Sequence, residues 1–221
     1  MKNKKLIGDI ILFIVLLVPF VFIIVNKINN NKLIEYVYVD DLSNLSEPIQ
    51  EEYDEDIVYK NLDYKYDIHL KYTYSIRGRV VETRKYMPTT IIGALAPIDI
   101  GMVWDKYTKD EYLSHIKFIN YGDRFLWYRI SSEDYNDDFK DLDKSFSNNH
   151  LVPSNKKVLK QLKLIKEGDY IELEGYLIDA AIKKHGVEWH LNSSITRDDT
   201  GDGACETIYV TGVKWLKEKE Y

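Results

Sequence analysis

Ser193-Ser194-Ile195-Thr196-Arg197-Asp198-Asp199-Thr200-Gly201-Asp202-Gly203-Ala204-Cys205-Glu206 is where this chain concentrates reactive groups. Those fourteen residues hold four hydroxyls, three Asp, one Glu, one Arg and the chain's single Cys. A thiol becomes a nucleophile when a base takes its proton, and His150, His185 and His190 are the nearby candidates. A small Cys entering a strand behind Gly-x-Gly-Ala also suits buried packing. An exposed Cys205 within hydrogen-bond reach of a histidine favours catalysis; a buried one favours a structural role.

Two further chemistries are tested by spacing. Asp199-Thr200-Gly201 matches the tripeptide of aspartic proteases, whose paired carboxylates share a proton in a dry, apolar cleft. Here Asp198 and Asp202 flank it, and their charges resist burial. Asp198-x-Thr200-x-Asp202-Gly203 has the opening of a calcium loop, but Tyr209 stands where the bidentate Glu belongs. His185-x-x-Glu188-x-His190 is zinc-like in composition. On a strand, histidines five apart face opposite ways, so no metal site and no cofactor are expected. A tight polar turn accounts for the segment more simply, with Asp side chains accepting backbone N–H bonds and glycines supplying positive φ.

The elements that would position these groups are mostly strands. Asp67–Arg77 alternates, placing Ile68, Leu70, Tyr72, Tyr74 and Ile76 on one face, with a bend expected at Gly78. Residues 88–106 read as an apolar, irregular crossing. Thr108-Lys109-Asp110-Glu111 has capping-box form and predicts a helix to about Phe118. An aromatic strand follows at Arg124–Ile130 and an exposed acidic loop at Ser131–Asp143. Ser154 is the expected cap of a helix bearing Val158, Leu159, Leu162 and Ile165, stopped by Gly168. Asp169–Asp179 alternates as a strand kinked at Gly175; Val187–Leu191 and Glu206–Leu216 supply two more. Together these predict a mainly β (α+β) domain over residues 64–221 with two or three short helices. A helix leading into Gly-Asp-x-Ile-x-Leu-x-Gly also fits a partly open barrel of oligonucleotide/oligosaccharide-binding (OB) type.

Ahead of that domain, Ile10–Val25 is all Ile, Leu, Phe or Val apart from Pro19, behind Lys2, Lys4 and Lys5. Sixteen residues at ~1.5 Å each reach about 24 Å, and extension through residues 6–27 closes the gap to a hydrocarbon core of about 30 Å. The run exceeds a signal-peptide h-region and lacks a small-x-small cleavage site. The expectation is an uncleaved transmembrane anchor at 1–27, in contact with membrane lipid. The Lys excess before the span places the N-terminus in the cytoplasm and the rest outside. Residues 28–63 read as an acidic, solvated spacer, with at most a short strand at Ile34–Val39.

Charge narrows the partners. Removing residues 1–26, with three Lys and one Asp, from 30 Lys+Arg and 36 Asp+Glu leaves 27 against 35, a net of −8. Such a body repels phosphate backbones, so nucleic acid is not expected. With one Cys it forms no internal disulfide, and its core must hold it together.

The motifs Ser147-Asn148-Asn149-His150-Leu151-Val152-Pro153-x-Asn155, Gly168-Asp169-Tyr170-Ile171-x-Leu173-x-Gly175-Tyr176-Leu177, Trp189-x-x-Asn192-Ser193-Ser194 and Arg197-x-Asp199-Thr200-Gly201-x-Gly203-Ala204-Cys205-Glu206 resemble an uncharacterised family of bacterial proteins. Ala96–Trp104 and Arg124–Tyr128 look like a diverged version of its centre. The resemblance covers roughly residues 68–215 and implies a common fold; no role transfers from it.

The expected function is a single-pass, membrane-anchored binding or accessory module, non-enzymatic, with an envelope protein as a conceivable partner. Its site or structural latch would gather Asn148, Asn149, His150, Ser193, Ser194, Arg197, Asp199 and Cys205 at one end of the sheet. The alternative is an envelope hydrolase using Cys205 or Asp199 with His150.

Overall fold

The computed structural model describes residues 2–122, 124–184, 187–196 and 205–220, with side chains for all of these except 2–14, 121, 183, 184 and 187. The chain divides into two units, residues 1–35 and 36 onward. The first is one helix, α1 (Lys2–Asn31), with Pro19 inside it. Its apolar side chains from Val15 to Val25 are exposed. Among the described residues no helix is long and apolar enough to cross a membrane.

The second unit is mainly β. Its elements run β1 (Tyr36–Val39), β2 (Ile49–Asn61), β3 (Tyr64–Lys85), α2 (Ile91–Leu95), β4 (Ile98–Val103), α3 (Asp110–Leu113), β5 (Ile116–Tyr121) and β6 (Phe125–Ile130). Then follow β7 (Phe146–Pro153), α4 (Lys156–Leu162), β8 (Tyr170–Lys184), β9 (Val187–Asn192) and β10 (Glu206–Glu218). Five strands close a ring, because β3 pairs β4, β4 pairs β7, β7 pairs β10, β10 pairs β8 and β8 pairs β3. Only the β7–β10 pairing within that ring is parallel. Ile98, Leu151, Ile208 and Leu177 are successive register partners around it, and all are buried. Removing each such side chain from water contributes about 1.5–3 kcal/mol, which is why alternating sequences settle with this face inward. At Gly175 a Cβ would collide with the Tyr209 carbonyl, so the glycine lets β8 approach β10 where their register shifts between Val210 and Gly212.

Several expectations need correction. The acidic stretch is not a spacer: β2 pairs antiparallel with β3, and β1 pairs parallel with β10. Period-two alternation brings Ile57 and Tyr59 onto the core cluster, with Tyr53 joining them across a register shift between Glu52 and Glu55. The carboxylates between them stay in solvent, where like charges are cheap. The irregular crossing contains β4, whose six residues are all buried. A strand covered on both faces shows no polar alternation, so the pattern that betrays other strands is missing. The capping box does not form. Thr108 is buried and its hydroxyl donates to the carbonyls of Leu42 and Asp105, leaving α3 a single turn without a side-chain cap. The acidic loop contributes buried Phe139 and Leu142. At α4 the cap is Asn155 rather than Ser154, its Oδ1 accepting from Lys157 and Val158 N–H. Gly168, at φ +87°, ends that connection in a left-handed turn.

Candidate functional site

Register creates the site. Asp99 on β4 faces His150 on β7, and His150 faces Thr207 on β10, so the three form one row across three strands. One step along, Asn148 stands opposite Gly101, and Cys205 immediately precedes Glu206, the partner of Asn149. Alternation puts Asn148 and His150 on one face of β7 and sends Ser147, Asn149 and Leu151 to the other. Leu95 and Ala96, with Tyr66, pack around Val152 farther along the first face and exclude water from it.

The β5–β6 hairpin closes the cluster. Phe118 and Tyr128 pack with Phe146 beside the buried Val103, docking the hairpin on the barrel. Gly101 leaves room for that approach, since a Cβ there would press on the end of the Leu126 side chain. The hairpin turn delivers Arg124, a non-glycine residue at φ 69°. Such a left-handed residue costs on the order of 1 kcal/mol or more and persists only where its surroundings fix it. Here Arg124 Nη1 donates to Asp99 Oδ1 at 2.8 Å, Nη2 donates to the Ala96 carbonyl at 2.7 Å, and the Arg124 carbonyl accepts from Asn148 Nδ2 at 2.7 Å. The guanidinium lies 4.0 Å from the centroid of the Tyr86 ring, a cation–π contact.

His150 Nδ1 lies 3.0 Å from Asp99 Oδ1, within ion-pair range though its N–H is not aligned for a good hydrogen bond. The ring also contacts Cys205, whose Sγ accepts from Asn148 Nδ2 at 3.3 Å. Burial alone would lower the imidazole pKa, but contact with Asp99 and Cys205 outweighs it and raises His150 to about 9. Burial and the neighbouring Asp99 push the Tyr86 hydroxyl upward as well. Asp99 Oδ2 and the Tyr86 hydroxyl are buried near one another, and neither makes a well-aligned hydrogen bond among the described residues. The result is a chain of contacts, Arg124 to Asp99 to His150 to Cys205, ending on a half-buried thiol.

No family model matches this chain, and no curated protein or solved structure matches it either.

Of the residues expected from sequence, Asn148, His150 and Cys205 come together. Asn149 faces away, its Nδ2 donating to Ser147 Oγ at 2.8 Å and the Ile100 carbonyl at 3.2 Å. Ser193 and Ser194 hydrogen-bond to the start of β10. Ser193 Oγ accepts from Thr207 N–H at 3.0 Å, and Ser194 N–H donates to the Cys205 carbonyl at 3.0 Å. Arg197 and Asp199, with the tripeptide and calcium-loop motifs and His185, lie outside the described residues. His190 is exposed on β9, and among the described residues no group of three or more His, Cys, Asp or Glu could hold a metal ion. Sequence reasoning missed Asp99, Arg124 and Tyr86. The available signal was a lone carboxylate inside Ile98-Asp99-Ile100-Gly101-Met102-Val103, since a charge within an apolar run must find a buried partner.

Proposed function

We propose that this chain is a single-pass membrane-tethered protein whose extracytoplasmic domain is an OB-type module that binds a neutral, hydrogen-bonding ligand. The ring order β3-β4-β7-β10-β8, with α4 linking β7 to β8, is what supports the OB assignment. The observation that carries the binding role is the placement of the Asp99–His150–Asn148 cluster on β4 and β7, the second and third ring strands. Barrels of this type present ligands on that face. The ligand class follows from charge: a chain at net −6 repels anions, while Asp99, Arg124 and a protonated His150 sum to a single buried positive charge, too little to select a strongly charged ligand. Tethering rests on the apolar run of α1, whose side chains from Val15 onward lie exposed. Exposed apolar side chains on a helix are stable in lipid and costly in water.

Two measurements test this. Thiol labelling of Cys205 in intact against permeabilised cells reports sidedness; modification by an impermeant reagent only after permeabilisation, while an added exposed Cys behaves likewise, overturns the extracytoplasmic assignment. Titration of the full chain in detergent with N-acetylated oligosaccharides, followed by NMR, is expected to shift signals of Asn148, His150 and Arg124. Shifts confined to another face, or none, overturn the binding role at this cluster.

A further inference from the structure

Ligand binding at this cluster makes no use of the thiol at the end of the contact chain. We propose, resting on that site, that Cys205 is the nucleophile of an acyl-transfer reaction on esters or activated amides, with His150 as its proton carrier and Asp99 as a positioning carboxylate.

The geometry supplies each role. Cys205 is half-buried, whereas His150 and Asp99 are 5% and 2% exposed and sit in a dry, fixed arrangement. Asp99 is itself held by the Arg124 guanidinium, so the imidazole meets a carboxylate that cannot swing away. Nucleophile, base and orienting acid in sequence are what covalent catalysis by a thiol needs. The Cys205 backbone is pinned through its carbonyl by Ser194 N–H, which fixes where Sγ stands. Asn148 Nδ2 spends one N–H on the Arg124 carbonyl and aims the other at Sγ. That second N–H is placed to donate to an oxyanion forming beside the sulfur. The contacts that raise His150 to about 9 keep a proton on the imidazole at neutral pH, the positive neighbour that a reactive sulfur requires.

The step balances with no added oxidant or reductant. With the thiol proton already passed to His150, the Cys205 thiolate bonds to the carbonyl carbon and the C=O electron pair moves onto oxygen, where Asn148 donates. The pair returns, the bond to the alkoxide or amine breaks, and the leaving group takes the proton held by His150. A thioester remains on Cys205. Water then attacks it and gives a proton to His150, and sulfur departs with its electron pair, which restores the starting pair and releases the acid.

The test uses the full chain in detergent with p-nitrophenyl acetate. A burst of one nitrophenolate per chain, with a single acetyl group found on Cys205, is expected; Cys205→Ser should abolish it. His150→Gln, checked for retained fold by circular dichroism, should slow the burst about 100-fold. Asp99→Asn should shift its pH profile, an effect that a merely structural carboxylate would not produce. Acetylation of wild-type Cys205 no faster than that of an unstructured cysteine peptide overturns the proposal, and no folding defect can excuse that result. Such a failure alongside NMR shifts at Asn148 and His150 would remove acyl transfer and leave ligand binding intact. A burst without any oligosaccharide-induced shift would do the reverse.

Discussion

Two rows of polar side chains cross three strands of the barrel, and they are built to different ends. In one, Glu172 on β8 stands between Arg77 on β3 and Lys214 on β10. In the other, His150 on β7 stands between Asp99 and Thr207. Glu172 is buried, but its partners reach water: the Arg77 and Lys214 side chains are 45% and 30% exposed. Arg77 Nε donates to its Oε2 at 2.7 Å, Lys214 Nζ to its Oε1 at 3.4 Å, and Lys214 continues to Glu174 at 2.7 Å. That row is closed, with each charge answered and the cationic ends solvated. Around Asp99 the Arg124 side chain is only 14% exposed, polar atoms are left over, and a thiol lies at the end. Closed buried ion pairs hold strands in register. Leftover polar capacity in a dry cluster costs stability, and is the usual mark of a site that does something else.

The largest expected effect comes from removing the carboxylates. Asp99→Ala strands a guanidinium and an imidazolium in the dry cluster and should cost about 3–5 kcal/mol. Glu172→Ala frees two cations that already touch water and should cost about 1–2 kcal/mol. Equal losses in denaturant titrations would erase the distinction.

Titration should separate the rows next, with opposite signs. His150 has a folded pKa of about 9 against an ordinary 6.5, so its contribution is complete below pH 6.5 and disappears as pH rises through 9. That difference corresponds to stability on the order of 3 kcal/mol, and His150→Gln should flatten the alkaline limb. Glu172 moves the other way. Burial raises its pKa, but hydrogen bonds with Glu174 and Arg77 and the charges of Arg77 and Lys214 outweigh that and lower it below 4.5. Its contribution holds above 4.5 and fades as pH falls through the folded value, so Glu172→Gln should flatten only the acid limb. Thermal melts of the three proteins from pH 3 to about 10 would show this; an unchanged alkaline limb in His150→Gln would refute it.

The smallest effects calibrate the rest. Lys214→Met should cost under ~1 kcal/mol, because Arg77 still answers Glu172. Asp56→Asn, at an exposed carboxylate paired with His69 at 2.9 Å, should change stability by less than about 0.5 kcal/mol. A larger loss at Asp56 than at Lys214 would mean that exposed pairs on the β2–β3 hairpin matter more than the closed row.

What the residues alone determined follows from period and side-chain chemistry. Ile68, Leu70, Tyr74 and Ile76 alternate, so a half-buried strand forms wherever its partners lie; Gly168 and Gly175 punctuate by geometry that no other residue tolerates cheaply. His150 and Cys205 could be named as reactive because thiol and imidazole are reactive anywhere. What only tertiary structure decided was company. Asp99 lay in an apolar run whose burial on both faces removed its pattern, and Arg124 lay in a hairpin turn far along the chain. The acidic strand β2 looked solvated because its charges are solvated, while Ile57 and Tyr59 quietly faced inward. Strand register sets these meetings, and register is fixed by the sum of many apolar contacts around a closed ring. No local stretch of sequence contains that sum.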